Sequence, residues 1–100
     1  MLNEMAPARL LEMIEQNESV YIIDIREDYE YEDGHLPCVH MPMETVFERA
    51  DELPKDRPVV VYCQSSKRSS AMVYMLQREL GLDNIYSLTG GYAAIAELAN

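Results

Sequence analysis

Val59-Val60-Val61-Tyr62-Cys63-Gln64-Ser65-Ser66-Lys67-Arg68-Ser69 is the stretch on which the reading of this chain turns. Three successive valines suit a strand buried on both faces of a parallel sheet. The run ends in a cysteine. A short polar loop then leads into a helical pattern from Ser69 to Leu80, with Met72, Val73, Leu76 and Leu80 as its apolar stripe and Gly81 as its stop. Sites in parallel sheets lie beyond the carboxyl ends of the strands, and Cys63 falls there. Successive amides from Gln64 to Ser69 suit an anion-binding nest. The helix N-terminus, Lys67 and Arg68 add positive charge. Each of these favours thiolate over thiol, so Cys63 reads as a nucleophile of lowered pKa. The plainer alternative is a small apolar filler. It fits less well with a residue that closes an apolar strand and opens a cationic loop.

Upstream, Met5 to Gln16 reads as an amphipathic helix, with Pro7 in its first turn and Leu10, Met13 and Ile14 at helical spacing. Val20 to Ile25 reads as a strand. Asp24 and Arg26 then fall at the same sheet edge as Cys63, if the two strands are parallel. Glu27 to Asp33 carries five carboxylates in seven positions and reads as a short solvated helix. Gly34-His35-Leu36-Pro37 is a turn into an extended piece, Cys38 to Met41. Glu44 to Leu53 reads as a helix, with Val46, Phe47, Ala50 and Leu53 on one side. Downstream, Ile85 to Leu88 is a short strand, Gly90-Gly91 a turn needing unusual backbone angles, and Thr89 a cap for a last helix from about Tyr92 to Ala99. Strands alternating with helices indicate an α/β domain with a mostly parallel sheet.

One hundred residues, 48% of them hydrophobic, suffice for a single domain spanning 1–100 with a small core. The net charge of −10 argues against nucleic acid as a partner and requires the cations near Cys63 to reverse the field locally for any anionic substrate. No apolar run approaches a membrane span, and the N-terminus lacks signal-peptide features, so no membrane association and a cytoplasmic location are expected. Two cysteines give no disulfide framework, and with two histidines they form no recognised zinc spacing. Neither a metal nor a cofactor is expected. The seven methionines read as core filler.

The spacing Cys63-x4-Arg68-Ser69 resembles the active-site loop of the rhodanese-type sulfurtransferases. Three other stretches follow the same family order: Asp24-Ile25-Arg26-Glu27 with Glu30-Tyr31, Gly34-His35-Leu36-Pro37, and Leu88-Thr89-Gly90-Gly91-Tyr92. The resemblance implies a compact rhodanese-like domain, a roughly five-stranded sheet with helices on both faces. It also implies transfer of sulfane sulfur from a donor such as thiosulfate or a protein persulfide to a thiol or other nucleophilic acceptor. Cys63 would attack the donor and carry the extra sulfur. Amides from Gln64 to Ser69 would stabilise the terminal charge as an oxyanion hole does, and Ser65, Ser66 and Ser69 would add hydroxyls.

Arg68 has two readings, facing a donor anion or bracing the loop against a carboxylate, and the family pattern favours the brace. Lys67 either attracts an anionic donor or is simply solvated. Arg26 either reaches the mouth or pairs with Glu27 or Glu30. Asp24 reads as fixing loop backbone, and His35 as a turn residue bonded to backbone.

The chain departs from the family pattern at Ser66, where such loops commonly have Gly. Ile95 stands where Trp is frequent, and Cys38 follows Leu-Pro where Gly is usual. Cys38 is then either a filler or a resolving thiol for Cys63. Two other functions stay open: a phosphatase or arsenate reductase of related fold, whose loop resembles Cys-x5-Arg and is one residue longer, and a non-enzymatic docking module.

Overall fold

The computed structural model describes residues 1–99. Its centre is a five-stranded sheet in the order β1-β5-β4-β2-β3, with every pairing parallel. The strands are β1 (Glu4–Met5), β2 (Tyr21–Asp24), β3 (Val39–His40), β4 (Val59–Tyr62) and β5 (Ile85–Leu88). The helices are α1 (Pro7–Glu15), α2 (Asp28–Glu32), α3 (Lys67–Leu80) and α4 (Gly91–Ala99). Parallel neighbours require crossovers, and these helices and the turns after β3 supply them.

The valine run is the middle of the molecule. Val59 and Val61 pack into one core layer with Ile23, Val73 and Leu76 of α3. Val60 and Tyr62, pointing the other way, pack with Leu10 of α1, Leu88 and Ile95 of α4. Strand alternation thus puts α3 on one face and α1 with α4 on the other. All four residues of β4 are buried. β2 lies beside β4 with Asp24 opposite Tyr62, so the segments following the two strands emerge at one edge.

Three expectations are corrected. The sheet gains an edge strand, β1, where Met5 was read as helical. Asn3 fixes it by donating its side-chain amide to the carbonyls of Asp83 (3.3 Å) and Ile85 (3.2 Å). Residues 44–53 are not one helix but two 3-10 turns, Met43–Thr45 and Ala50–Glu52. A 3-10 turn rises about 2.0 Å per residue against about 1.5 Å in an α-helix, so this winding covers more of the path to β4. It also places Val46 and Leu53 in the core while Phe47 stays exposed. Finally, α4 starts at Gly91, so its cap position falls on Gly90, not Thr89. None of the helices described is long and apolar enough to cross a membrane.

Candidate active site

Cys63 leaves β4 on the α3 side, and the loop Gln64–Ser66 turns the chain into α3. Ser66 makes that turn in the left-handed region, at φ 87°. This is the conformation for which glycine is the natural residue. α3 has no side-chain cap of its own. The Cys63 sulfur takes that place: Sγ accepts hydrogen bonds from the amides of Ser66 at 3.2 Å and Ser69 at 3.3 Å. The first amides of a helix have no acceptor within it, so a sulfur anion here meets ready donors and the positive end of the helix. Lys67 and Arg68 contribute the two amides between them in the same turn.

Burial by itself would raise the Cys63 pKa. The Ser69 hydroxyl and the amides of Ser69, Ser65 and Ser66 outweigh it, and the thiol ends below its ordinary value. The Ser69 hydroxyl lies 3.6 Å from Sγ. It is tied to Ser87 Oγ at 2.9 Å, which also meets Ser70 Oγ at 3.3 Å. Ser69 and Ser87 are fully buried, so a file of hydroxyls runs from β5 to the sulfur. Ser87 escaped the sequence reading; its only signal is a small polar residue between the larger side chains of Tyr86 and Leu88.

The loop is clamped from outside. The amides of Tyr92 and Ala93, at the start of α4, donate to the carbonyls of Cys63 (2.8 Å) and Gln64 (3.1 Å). In a trans peptide the N–H points opposite to the C=O, so holding these carbonyls outward turns the following amides inward. The clamp demands glycine at position 91: its φ is +63°, and a Cβ there would sit 2.5 Å from the Cys63 carbonyl oxygen. The expected Gly-Gly turn is therefore part of the site.

The two arginines divide the bracing. Arg68 forms a two-pronged pair with Glu30 of α2, both N–O distances 3.1 Å, which matches the brace reading. Glu30 also accepts from the Glu27 amide at 3.0 Å. The short acidic helix thus does more than meet water, and the Arg68 pairing pulls the Glu30 carboxyl below the usual range. Arg26 is only 2% exposed. It pairs with Asp24, not with Glu27 or Glu30 as considered from the sequence. The closest N–O contact is 2.8 Å, and Asp24 Oδ1 also accepts from the Arg26 amide. Residues i and i+2 of an extended segment share a side, a signal that was legible. The Arg26 guanidinium lies over the Tyr92 ring at 4.4 Å and donates to Gly34 O (2.6 Å) and Gln64 Oε1 (3.1 Å). It therefore holds the loop from behind.

Of the remaining loop residues, Gln64, Ser65 and Lys67 are exposed, and Lys67 makes no ion pair among the described residues. Cys63 itself has no exposed surface, and Gln64 and Ser65 beside it are open to solvent. Two depressions flank it. One, of about 410 Å³, is lined by Arg26, Tyr29, Glu30, Asp33 and Gln64. The other, of about 420 Å³, runs along α3 from Arg68.

His35 Nδ1 bonds the Leu36 carbonyl at 2.7 Å, as a turn histidine does. Cys38 belongs to the other face: it packs against the core cluster that contains Val60 and Tyr62, and its sulfur meets Tyr62 Oη at 3.7 Å. Cys63 sits in the opposite core layer. The arrangement fits the filler reading of Cys38 and separates it from Cys63 by the sheet.

The family described as "Rhodanese-like domain" matches residues 6–98. The chain belongs to that family. Its rhodanese-like relatives include a protein named "Sulfurtransferase" from Allochromatium vinosum, 37% identical over 98 residues, 96% of this chain and 90% of that protein. Another is "Thiosulfate sulfurtransferase GlpE" of Coxiella burnetii, 32% identical over 74 residues, 73% of this chain and 68% of the relative. Among solved structures, a rhodanese-related protein from Thermoplasma volcanium superposes with a TM-score of 0.83 at 29% identity, covering 96% of this chain and 92% of its own. The expectation of a roughly five-stranded, mostly parallel sheet is met by five strands that are all parallel, and the architecture is the rhodanese-like one.

Proposed function

We propose that this chain moves sulfane sulfur as a persulfide on Cys63. The observation that carries the reading is the polar setting of one sulfur: the amides of Ser66 and Ser69 donate to it, and the Ser69 hydroxyl lies 3.6 Å away. The Cys63 thiolate attacks the outer sulfur of thiosulfate. A new S–S bond forms, the old one breaks, and sulfite leaves with the electron pair. The bound persulfide keeps one negative charge, which the remaining amides at the start of α3 stabilise. An acceptor thiolate then attacks the outer sulfur, and Cys63 departs as the thiolate its donors already favour. No oxidant or reductant is consumed.

Gln64, Ser65, Ser66, Lys67, Arg68 and Ser69 shape the pocket for the transferred sulfur. Arg26 positions Gln64, and Lys67 is the loop cation open to an incoming anion. Four residues between Cys63 and Arg68 make a loop sized for one sulfur atom rather than a whole phosphate. Arg68, already committed to Glu30, is not disposed to clasp an oxyanion, which disfavours the phosphatase and arsenate reductase readings.

The test is intact mass after incubating the reduced protein with thiosulfate or with cysteine persulfide. One added sulfur on Cys63, removed by cyanide, is the expected result. No gain from either donor, or hydrolysis of an aryl phosphate instead, overturns the reading.

A further inference from the structure

We infer that the sulfur acceptor is a cysteine carried on a basic, partly apolar segment of another protein, and that this segment docks in the groove beside α3. The inference rests on the persulfide reading of Cys63 and names its partner. The groove starts at the loop itself, because Arg68, Met72 and Met75 follow one another at helical spacing along α3 and all line it. Its opposite wall is Met43, in the first 3-10 turn, and Phe47, just after it. Phe47 and Met75 are 39% and 43% exposed. Single exposed apolar side chains are ordinary, whereas several sharing one groove mark an interaction site. Methionines there adapt to varied apolar side chains.

Charge sets the partner's character. Glu27 and Glu44 stand on the rim, both exposed. The one cation of the groove, Arg68, is already paired with Glu30. The whole chain carries −10. Such a surface repels small anionic acceptors and attracts a lysine- or arginine-bearing segment. A segment whose apolar residues fill the groove and whose basic residues meet Glu27 and Glu44 would have its cysteine at the Arg68 end, beside the Cys63 loop.

The experiment loads Cys63 with sulfur and follows its discharge by mass to three acceptors. These are a synthetic peptide with one cysteine among leucines and lysines, the same peptide with glutamate for lysine, and 2-mercaptoethanol. The lysine peptide is expected to show a KM about tenfold lower than the glutamate peptide. Phe47→Ser with Met75→Ser is expected to raise the lysine-peptide KM about tenfold and leave discharge to 2-mercaptoethanol within about twofold. Glu44→Lys is expected to narrow the gap between the two peptides. Equal KM values for the two peptides, or an equal loss with all three acceptors in the groove variants, overturn the inference. So does a dimer in sedimentation that Phe47→Ser dissolves, which would make a second copy the occupant. Failure of the persulfide reading is separable: titration of the lysine peptide onto Cys63→Ser by NMR reports docking without sulfur chemistry. Shifts absent from the Phe47 and Met75 signals there also overturn the inference.

Discussion

Cys63 and Cys38 are both sheltered from water, yet burial decides the acidity of one and is overruled in the other. Burial pushes the Cys38 thiol above its ordinary value, the nearby Asp24 charge adds to the effect, and the Tyr62 hydroxyl only partly opposes it. Cys63 is the more buried residue, but its thiol falls below the ordinary value, because amides and a hydroxyl point at it. Thiol acidity at these two positions therefore depends on whether hydrogen-bond donors aimed at the sulfur outweigh its burial. Those donors exist because a helix begins beside Cys63; at Cys38 a short edge strand begins instead.

The harshest way to break the contrast is to exchange the sulfur. Cys63→Ser is expected to abolish sulfur uptake, a loss of about a thousandfold or more, while Cys38→Ser stays within about twofold of the parent in a cyanide-coupled assay. Next comes the clamp. Gly91→Ala drives a methyl group into the Cys63 and Gln64 backbone. It is expected to cost about 3 kcal/mol in urea unfolding and to raise the Cys63 pKa, bringing the two thiols closer together.

Removing a single donor gives a smaller effect. Ser69→Ala is expected to slow sulfur uptake at neutral pH about tenfold, with activity recovering as pH rises. The pH profile of alkylation, read by peptide mass, checks the underlying contrast directly: the thiolate forms on raising pH, so Cys63 labelling should rise at lower pH than that of a free thiol, and Cys38 labelling at higher pH.

Smaller still is the loop's own backbone. Ser66→Gly removes a side chain from a left-handed position and is expected to stabilise the fold by about 1 kcal/mol, read from the urea midpoint.

The last and smallest expectation concerns Glu30. Its folded pKa is depressed, so its contribution is complete above its ordinary 4.5 and is lost as pH falls through the lower folded value. Because Arg68 is 36% exposed, the pair is discounted to about 0.5–1 kcal/mol. Glu30→Gln should therefore flatten the acid limb of stability by that amount. An unchanged acid limb would show that the brace carries no weight.

The sequence displayed these features unevenly. β4, the Cys63 loop and α3 were readable because their signals are local: a β-branched run, a cationic loop and a helical stripe with Gly81 behind it. Ser66 stood out only as a departure from the family's usual glycine; the structure supplies the reason for that glycine, a positive φ. β1 was not readable, because a two-residue strand is defined by its distant partners, Ser87 and Leu88. Residues 44–53 misled because apolar spacing records which side chains face the core, not how tightly the backbone winds. Glu30 and Ser87 were missed as site residues because their partners lie 38 and 18 positions away in the chain.

The clamp on the Cys63 and Gln64 carbonyls comes from residues almost thirty positions further on. A polypeptide still emerging from the ribosome short of Gly91 holds Cys63 without it. The α3 amides of Ser66 and Ser69 are already present in such a chain, but the two peptide units that follow Cys63 lack the partners that fix their orientation until the closing helix arrives.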